Sequence, residues 1–116
     1  MARKFRIAIP TMGEGGLEDK VSEVFGRAKT FTIIDMDGET VEAVSVLRNP
    51  ASSYSYGAGP IVVKMLIDHG VNVVVAGELG PGALGLLEQH GIRIITVKPG
   101  ISVSEAIRIQ RCWKNP

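Results

Sequence analysis

One short stretch of the chain matches a nucleotide-binding pattern. Gly80-Pro81-Gly82-Ala83-Leu84-Gly85 fits G-x-G-x-x-G, follows an apolar run at 71–76 and precedes a segment of helical composition. That placement is the one a dinucleotide-binding turn requires. In such a turn, glycines let a pyrophosphate approach the backbone at the start of the following helix. The chemistry to test first is therefore dinucleotide binding.

Three observations favour an ordinary strand-to-helix turn instead. A dinucleotide site needs a carboxylate about 20 residues further on, and the apolar run 94–97 leads into Lys98-Pro99-Gly100 without one. Pro81 lacks an N–H that a pyrophosphate would use. The match also lies late in a small chain. We interpret Pro81 as a helix start and Gly85 as a small residue for close helix packing.

Other residue types capable of catalysis or metal binding are few. His69 and His90 each precede a glycine in the last turn of a predicted helix, where a histidine ring satisfies free carbonyls. Cys112 is the single cysteine and has no C-x-x-C partner, which excludes a self-contained cysteine site. The glycines at 13, 15 and 16 are not followed by the Gly-Lys of a P-loop. No nucleophile–base pair can be assembled, so we predict a protein that is not an enzyme.

Two predicted helix starts remain as candidate binding elements. Gly57-Ala58-Gly59-Pro60 and Gly80-Pro81-Gly82-Ala83 each open a helix, where free N–H groups favour an anion. If both helices start at one edge of a sheet, they form a concave polar site with residues 11–29 and 48–59.

The elements that must position these residues change character along the chain. Residues 5–9 predict a strand ended by Pro10, followed by a loop at 11–20 and a short helix at 21–25. Residues 30–36 and 40–47 predict a hairpin about Asp37-Gly38. After a serine- and glycine-rich loop at 48–59, we predict these elements: helix 60–69, strand 71–76, helix 81–90, strand 92–97 and helix 103–111, the last capped by Ser102 and Glu105. The order predicts an α/β fold, a mixed sheet with helices on both faces.

Composition limits the classes of function. The chain of 116 residues is predicted to be one domain, 1–116, with 45% hydrophobic residues and a near balance of 13 basic and 12 acidic residues. That balance argues against nucleic acid as a partner. No apolar run is long enough to span a membrane, and no signal peptide is recognised, so we expect a cytoplasmic protein. The first predicted strand carries no carboxylate, which argues against two-metal nuclease chemistry.

Several blocks together resemble a known family. They are Val21-Ser22-Glu23-Val24-Phe25-Gly26-Arg27-Ala28, Asn49-Pro50, Gly57-Ala58-Gly59 and Gly80-Pro81-Gly82-Ala83. In this order they resemble the dinitrogenase iron–molybdenum cofactor biosynthesis family, the domain of NifX, NafY and the C-terminus of NifB. The resemblance runs from Ile7 to about Ile107. It implies a ribonuclease H-like α/β/α motif with a mixed five-stranded sheet.

The resemblance also implies a function. Members look like carriers of an iron–sulfur or iron–molybdenum-type cluster or its precursor, held in a groove formed here by residues 12–28, 48–60 and 79–83. Many members have histidine where this chain has Val24 and Tyr56, so no metal ligand is assigned. Binding would then rest on backbone N–H groups and the Arg27 guanidinium, with a protein partner or second subunit completing the site. The predicted cofactor-binding residues are Ser22, Gly26, Arg27, Gly57, Ala58, Gly59, Gly80 and Gly82.

A second hypothesis stays open beside the carrier. The chain could be a regulatory or interaction module that binds a small anion or a protein partner without metal. The missing histidines favour this alternative.

Overall fold

Five strands and three helices make up the computed structural model, which describes residues 4–109. In chain order they are β1 (Lys4–Thr11), β2 (Thr30–Asp37), β3 (Thr40–Arg48), α1 (Ala58–Asp68), β4 (Val73–Ala76), α2 (Pro81–Gln89), β5 (Arg93–Thr96) and α3 (Val103–Ile109). A short 3-10 helix, Gly16–Glu18, lies in the loop after β1.

The strands form one mixed sheet in the order β3-β2-β1-β4-β5. β2 is antiparallel to both β1 and β3, whereas β1, β4 and β5 run parallel to one another. This order and mixture of directions is the ribonuclease H-like motif, so the predicted fold is confirmed. The antiparallel hairpin and the parallel final strands are confirmed as well.

Helices cover both faces of the sheet. One core contains Val62, Leu66 and Leu87 from α1 and α2, packed on Ala8 and Phe31 of the sheet. The other core joins Val103 and Ala106 of α3 to Ile7, Ile34 and Val75, among others. A fully buried Leu or Phe contributes about 1.5–3 kcal/mol. Packing of this kind therefore stabilises α2, whose nine residues would not form a stable helix in isolation.

Two sequence predictions in the first third of the chain are wrong. Pro10 does not end β1 but lies within it, opposite Phe31 of β2. Its carbonyl accepts a hydrogen bond from the N–H of Ser22 at 2.8 Å, so the Pro10 nitrogen also faces Ser22 and not β2. The missing N–H of proline therefore removes no hydrogen bond between β1 and β2. Residues 21–25 form no helix: Val21 forms an antiparallel bridge with Thr11, and the N–H groups of Val21 and Ser22 donate to the distant carbonyls of Ile101 and Pro10.

Several boundaries differ by one or two residues. The hairpin turn is Gly38-Glu39, one residue beyond the predicted dipeptide. Gly38 has φ 61 at the first central position, as a type II′ turn requires. α1 begins at Ala58 after Gly57, so that Pro60 is its third residue, where a missing N–H still costs no intrahelical bond. The end predicted for α3, at Arg111, lies outside the described residues.

The two histidines occupy matching helix ends, as predicted. His69 Nδ1 donates to the Met65 carbonyl at 2.8 Å, and His90 Nδ1 donates to the Leu86 carbonyl at 2.9 Å. Gly70 and Gly91 follow them with φ of 72 and 71, which ends each helix in the left-handed conformation. Both rings satisfy terminal carbonyls and are not aimed at a shared site.

Arg6 connects the C-terminal end of α1 to the sheet. Its Nε donates to Asp35 Oδ1 at 2.6 Å, and its Nη1 donates to the carbonyl of His69. The hydrogen bond from Arg6 to Asp35, together with the Asp35 charge, raises the pKa of Arg6 above its ordinary value. These hydrogen bonds anchor the helix at the edge where β1 and β4 begin.

The α3 cap provides a test of the fold. Ser102 Oγ accepts the Glu105 N–H at 3.1 Å, the first half of the predicted capping box. Ser102→Ala should lower the free energy of unfolding by about 1 kcal/mol, because one N–H of the first turn loses its partner. Urea denaturation measures the change. Ser53→Ala, at an exposed serine in the loop before α1, is the control and should leave stability nearly unchanged; equal losses in both variants would contradict the cap.

Candidate functional site

The candidate site lies where β4 ends and two helices begin. Parallel strands have their carboxyl ends at one edge of the sheet, and the connections following them reach that edge. β4 ends at Ala76, and residues 77–80 lead directly into α2. The N-terminus of α1 lies at the same edge, because α1 runs back to the start of β4. The sequence expectation that both helix starts share one site agrees with this placement.

A groove of about 680 Å³ runs between these helix starts and the segment before β2. We call it the helix-end groove. Its lining residues are Glu23, Val24, Phe25, Gly26, Arg27, Ser55, Ala58, Gly59, Pro60, Glu78, Leu79, Gly80, Gly82 and Ala83. Of the eight residues proposed from sequence, six line it: Gly26, Arg27, Ala58, Gly59, Gly80 and Gly82.

Ser22 and Gly57 do not line the groove but shape its walls. Ser22 is buried, and its Oγ accepts the Val24 N–H at 3.2 Å, which turns the chain toward Phe25. Gly57 has φ 75 and precedes α1, a conformation that L-residues rarely adopt. The structure therefore gives both residues a local role in backbone geometry.

A close backbone contact brings two walls of the groove together. A Cβ at Gly26 would lie 3.0 Å from the Gly59 nitrogen and 3.3 Å from the Ala58 Cβ. Beside it, Phe25 is buried and packs edge-on against Phe31 of β2, with ring centroids 5.3 Å apart. The aromatic contact anchors the segment to the sheet, and the glycine lets the segment touch α1.

The glycines of α2 are under no such constraint. A Cβ at Gly80, Gly82 or Gly85 would meet nothing within 4 Å. None of the three has positive φ. The interpretation of Gly85 as a residue for close helix packing is therefore wrong, since no neighbouring element approaches it. At Gly80 and Gly82 the missing side chains leave the backbone of the α2 start open to the groove.

The charges of the groove are unpaired within the described residues. Arg27 is exposed and makes no ion pair there with Glu23 or Glu78, the two carboxylates of the groove lining. The first-turn N–H groups of Ala58, Gly59, Gly82 and Ala83 have no intrahelical acceptor. An anion in the groove would meet these donors and one guanidinium, which favours bidentate hydrogen bonding.

Asn49 is the residue whose role the sequence interpretation missed. It is 5% exposed, and its Nδ2 donates to the carbonyls of Gly26 and Ala28, each at 2.8 Å. Its Oδ1 accepts the Ala51 N–H at 2.9 Å. The Asn49-Pro50 dipeptide marked the family resemblance, but nothing in one sequence shows which carbonyls a loop asparagine will reach.

The first residues of the predicted groove line a separate depression. Residues 12–14 line a space of about 490 Å³ together with Lys29, Thr30, Arg48, Asn49 and Ser52. The helix-end groove and this depression have no lining residue in common. The predicted site, 12–28 with 48–60 and 79–83, is thus divided in two, and the helix starts contribute only to the first.

Exposed apolar side chains lie mostly in loops and early helical turns. Among residues 4–109, eight large hydrophobic residues are exposed, and two of them, Val41 and Val44, lie on the edge strand β3. The other six lie in loops or early helical turns: Met12, Val24, Tyr54, Tyr56, Ile61 and Leu84. Of these, Val24 lines the helix-end groove and Met12 lines the separate depression. Tyr56 is 90% exposed.

Metal-ligating side chains are sparse in the described structure. Residues 4–109 contain no group of three or more His, Cys, Asp or Glu side chains placed to hold a metal ion. Val24 lines the groove and Tyr56 does not, and neither offers an imidazole. Cys112 lies outside the described residues. Within the part described, no helix is long and apolar enough to cross a membrane.

Comparison with known families agrees with this architecture. The family model for dinitrogenase iron–molybdenum cofactor proteins matches residues 4–109. The chain belongs to this family. The resemblance drawn from the four sequence blocks is therefore confirmed.

Individual relatives span nearly the same length. The apo form of the orange protein from Desulfovibrio gigas is 31% identical, with a TM-score of 0.80 over 93% of this chain and 88% of that one. A Thermotoga protein named as a NifB protein is 35% identical, with a TM-score of 0.72 over 93% and 85% of the two chains. An uncharacterised Methanocaldococcus jannaschii protein is 24% identical over 78% of this chain and 76% of its own length.

The contact at Gly26 yields a prediction about the site's framework. Gly26→Ala should lower the free energy of unfolding by about 1–3 kcal/mol, because its methyl group would press on the α1 backbone. Gly85→Ala is the opposite control: its methyl group meets nothing, and alanine favours helix, so stability should rise by about 0.5–1 kcal/mol. Thermal or urea denaturation measures both. A neutral Gly26→Ala would show that this wall is not tightly packed.

Proposed function

We propose that this protein is a non-enzymatic, single-domain cytoplasmic carrier that holds an anionic metal–sulfur cofactor or precursor in the helix-end groove. The observation that carries the proposal is the convergence of two helix N-termini and an unpaired arginine on one groove. Membership of the dinitrogenase iron–molybdenum cofactor family supports a metal–sulfur cargo.

The donor set suits a cargo that brings its own ligands. Among residues 4–109, the groove lining contains no cysteine, histidine or methionine, the side chains that bind soft metals. Backbone N–H groups and a guanidinium instead donate hydrogen bonds, which suit the sulfides on the outside of an anionic cluster. We therefore infer that the cargo is a thiometallate whose metals are already fully coordinated by sulfide.

The two groove carboxylates limit how strongly an anion is held. Glu23 and Glu78 line the same groove as Arg27, so the side chains alone contribute one positive and two negative charges. Net attraction then depends on the oriented N–H groups of α1 and α2 near the cargo. An affinity set by such short-range contacts is consistent with a carrier that must also release its cargo.

A second candidate function is an interaction module that takes a small anion or a protein partner without metal. Exposed apolar side chains in the loops and first helical turns, among them Val24 in the groove and Tyr56 beside α1, favour contact with a protein. The loop with Tyr54 and Tyr56 is rich in Tyr, Ser and Gly, a composition that suits recognition of protein surfaces. Under this alternative, inorganic phosphate should bind the groove at least as tightly as a thiometallate does.

Titration with tetrathiomolybdate under anaerobic conditions tests the carrier. The wild-type protein should bind it with a visible absorption change, and Arg27→Gln should weaken binding about tenfold at low salt, because a charge-assisted hydrogen bond is lost. The loss should shrink as salt increases, since Arg27 is exposed. Arg108→Gln makes the same charge change on α3, across the sheet, and should bind as the wild type does.

Two results would count against the carrier. Wild-type protein that binds no tetrathiomolybdate and stays free of metal after anaerobic reconstitution with iron and sulfide would overturn it. Equal weakening of binding by Arg27→Gln and Arg108→Gln would show that the net charge of the protein, and not the groove, determines the affinity. Tighter binding of phosphate than of tetrathiomolybdate would favour the metal-free module.

Alanine substitutions at the two glycines of α2 distinguish an effect on ligand binding from an effect on stability. Gly82→Ala places a methyl group in the open groove, whereas Gly85→Ala places one on α2 away from the groove lining. Both should raise stability by about 0.5–1 kcal/mol. Only Gly82→Ala should weaken tetrathiomolybdate binding, because it obstructs the backbone donors. Unchanged binding in Gly82→Ala would show that the N-terminus of α2 does not contribute to the binding site.

A further inference from the structure

The side chain of Asn49 makes three hydrogen bonds that join two loops. Both hydrogens of its amide go to carbonyls before β2, Gly26 and Ala28, and its Oδ1 accepts from Ala51 within its own loop. Its backbone N–H donates to the Lys29 carbonyl at 3.1 Å, beside the same segment. Asn49 is thus buried, has a partner for every side-chain donor and is shared between two loops.

The two carbonyls that Asn49 binds are those on either side of Arg27. Gly26 precedes Arg27, and Ala28 follows it. Asn49 holds the Gly26–Arg27 peptide group through its carbonyl, and the Arg27–Ala28 peptide group is held through its N–H, which donates to the Phe25 carbonyl at 3.2 Å. Rotation of the first group breaks the hydrogen bond from the buried Asn49 side chain, which is costly. The Arg27 side chain itself is held by no hydrogen bond or ion pair within the described residues. The point at which the side chain leaves the main chain is therefore set by the backbone alone.

We propose that Asn49 is a positioning residue that fixes the backbone of Arg27 and so keeps the Arg27 side chain at the helix-end groove, which it lines. The same side chain connects Arg27 to the loop at 50–57, whose residue Ser55 lines the groove. The consequence for the ligand depends on the proposed function, whereas the constraint on Arg27 depends only on the hydrogen bonds of Asn49.

Few other residue types could make this set of contacts. Aspartate has the same shape and keeps the acceptor for Ala51, but it has no donor for the two carbonyls. Alanine removes all three side-chain hydrogen bonds and leaves buried groups without partners. Asn49→Asp and Asn49→Ala therefore remove the same two donors by different routes, and either serves if the other does not fold.

Backbone dynamics test the constraint without any ligand. In wild-type protein the ¹⁵N order parameter of the Arg27 amide should be near 0.85, as in rigid backbone, and in Asn49→Ala or Asn49→Asp it should fall below about 0.6. Ile34, in the sheet centre, reports whether the fold is intact and should not change. Ser52→Ala is the control, since the Ser52 backbone contacts Asn49 but its side chain does not reach residues 26–28. An order parameter at Arg27 that stays unchanged would overturn the proposal.

A double-mutant cycle then tests whether Asn49 acts through Arg27. Asn49→Ala should weaken tetrathiomolybdate binding about tenfold in the wild-type background and hardly at all in the Arg27→Gln background. Equal losses in both backgrounds would mean that Asn49 only stabilises the loops, and would overturn the positioning role. If wild-type protein binds no tetrathiomolybdate, the proposed function fails, and the order parameters alone decide the constraint on Arg27.

Discussion

Parallel pairing of β1 and β4 in the middle of the sheet is the constraint on which the site depends. Ile7 pairs with Val73 and Ala8 with Val74, all buried. Because the two strands run the same way, their carboxyl ends meet at one edge, and α1 and α2 both start there. Had β4 been antiparallel to β1, the helix N-termini would lie apart, and no groove of donors would exist.

Backbone contact, more than side-chain chemistry, forms the groove. Gly26 lets the segment before β2 touch α1, while Gly80 and Gly82 leave the start of α2 uncovered. Asn49 ties the first of these walls to the following loop. The result is a preorganised set of N–H donors with one guanidinium, at the cost of a glycine, Gly82, in the first turn of a nine-residue helix.

Local signals predicted the elements well and the connections poorly. Apolar runs, the Gly38 turn, the two His-Gly helix ends and the Ser102 cap depend on near neighbours, and each was predicted to within a few residues. Pro10 and residues 21–25 were predicted wrongly because their partners, Phe31 and Ile101, lie far away in sequence. Composition alone indicates where a chain turns but not which distant carbonyl receives its N–H groups.

The sequence by itself determined the family, the mixed α/β sheet and most residues of the groove, because these follow from periodicity and from blocks kept in order along the chain. Only the tertiary structure decided that 12–14 belong to a separate depression, that Gly85 packs against nothing, and that Asn49 holds the carbonyls on both sides of Arg27. Those outcomes depend on distances between segments remote in sequence, which folding fixes and local pattern does not encode.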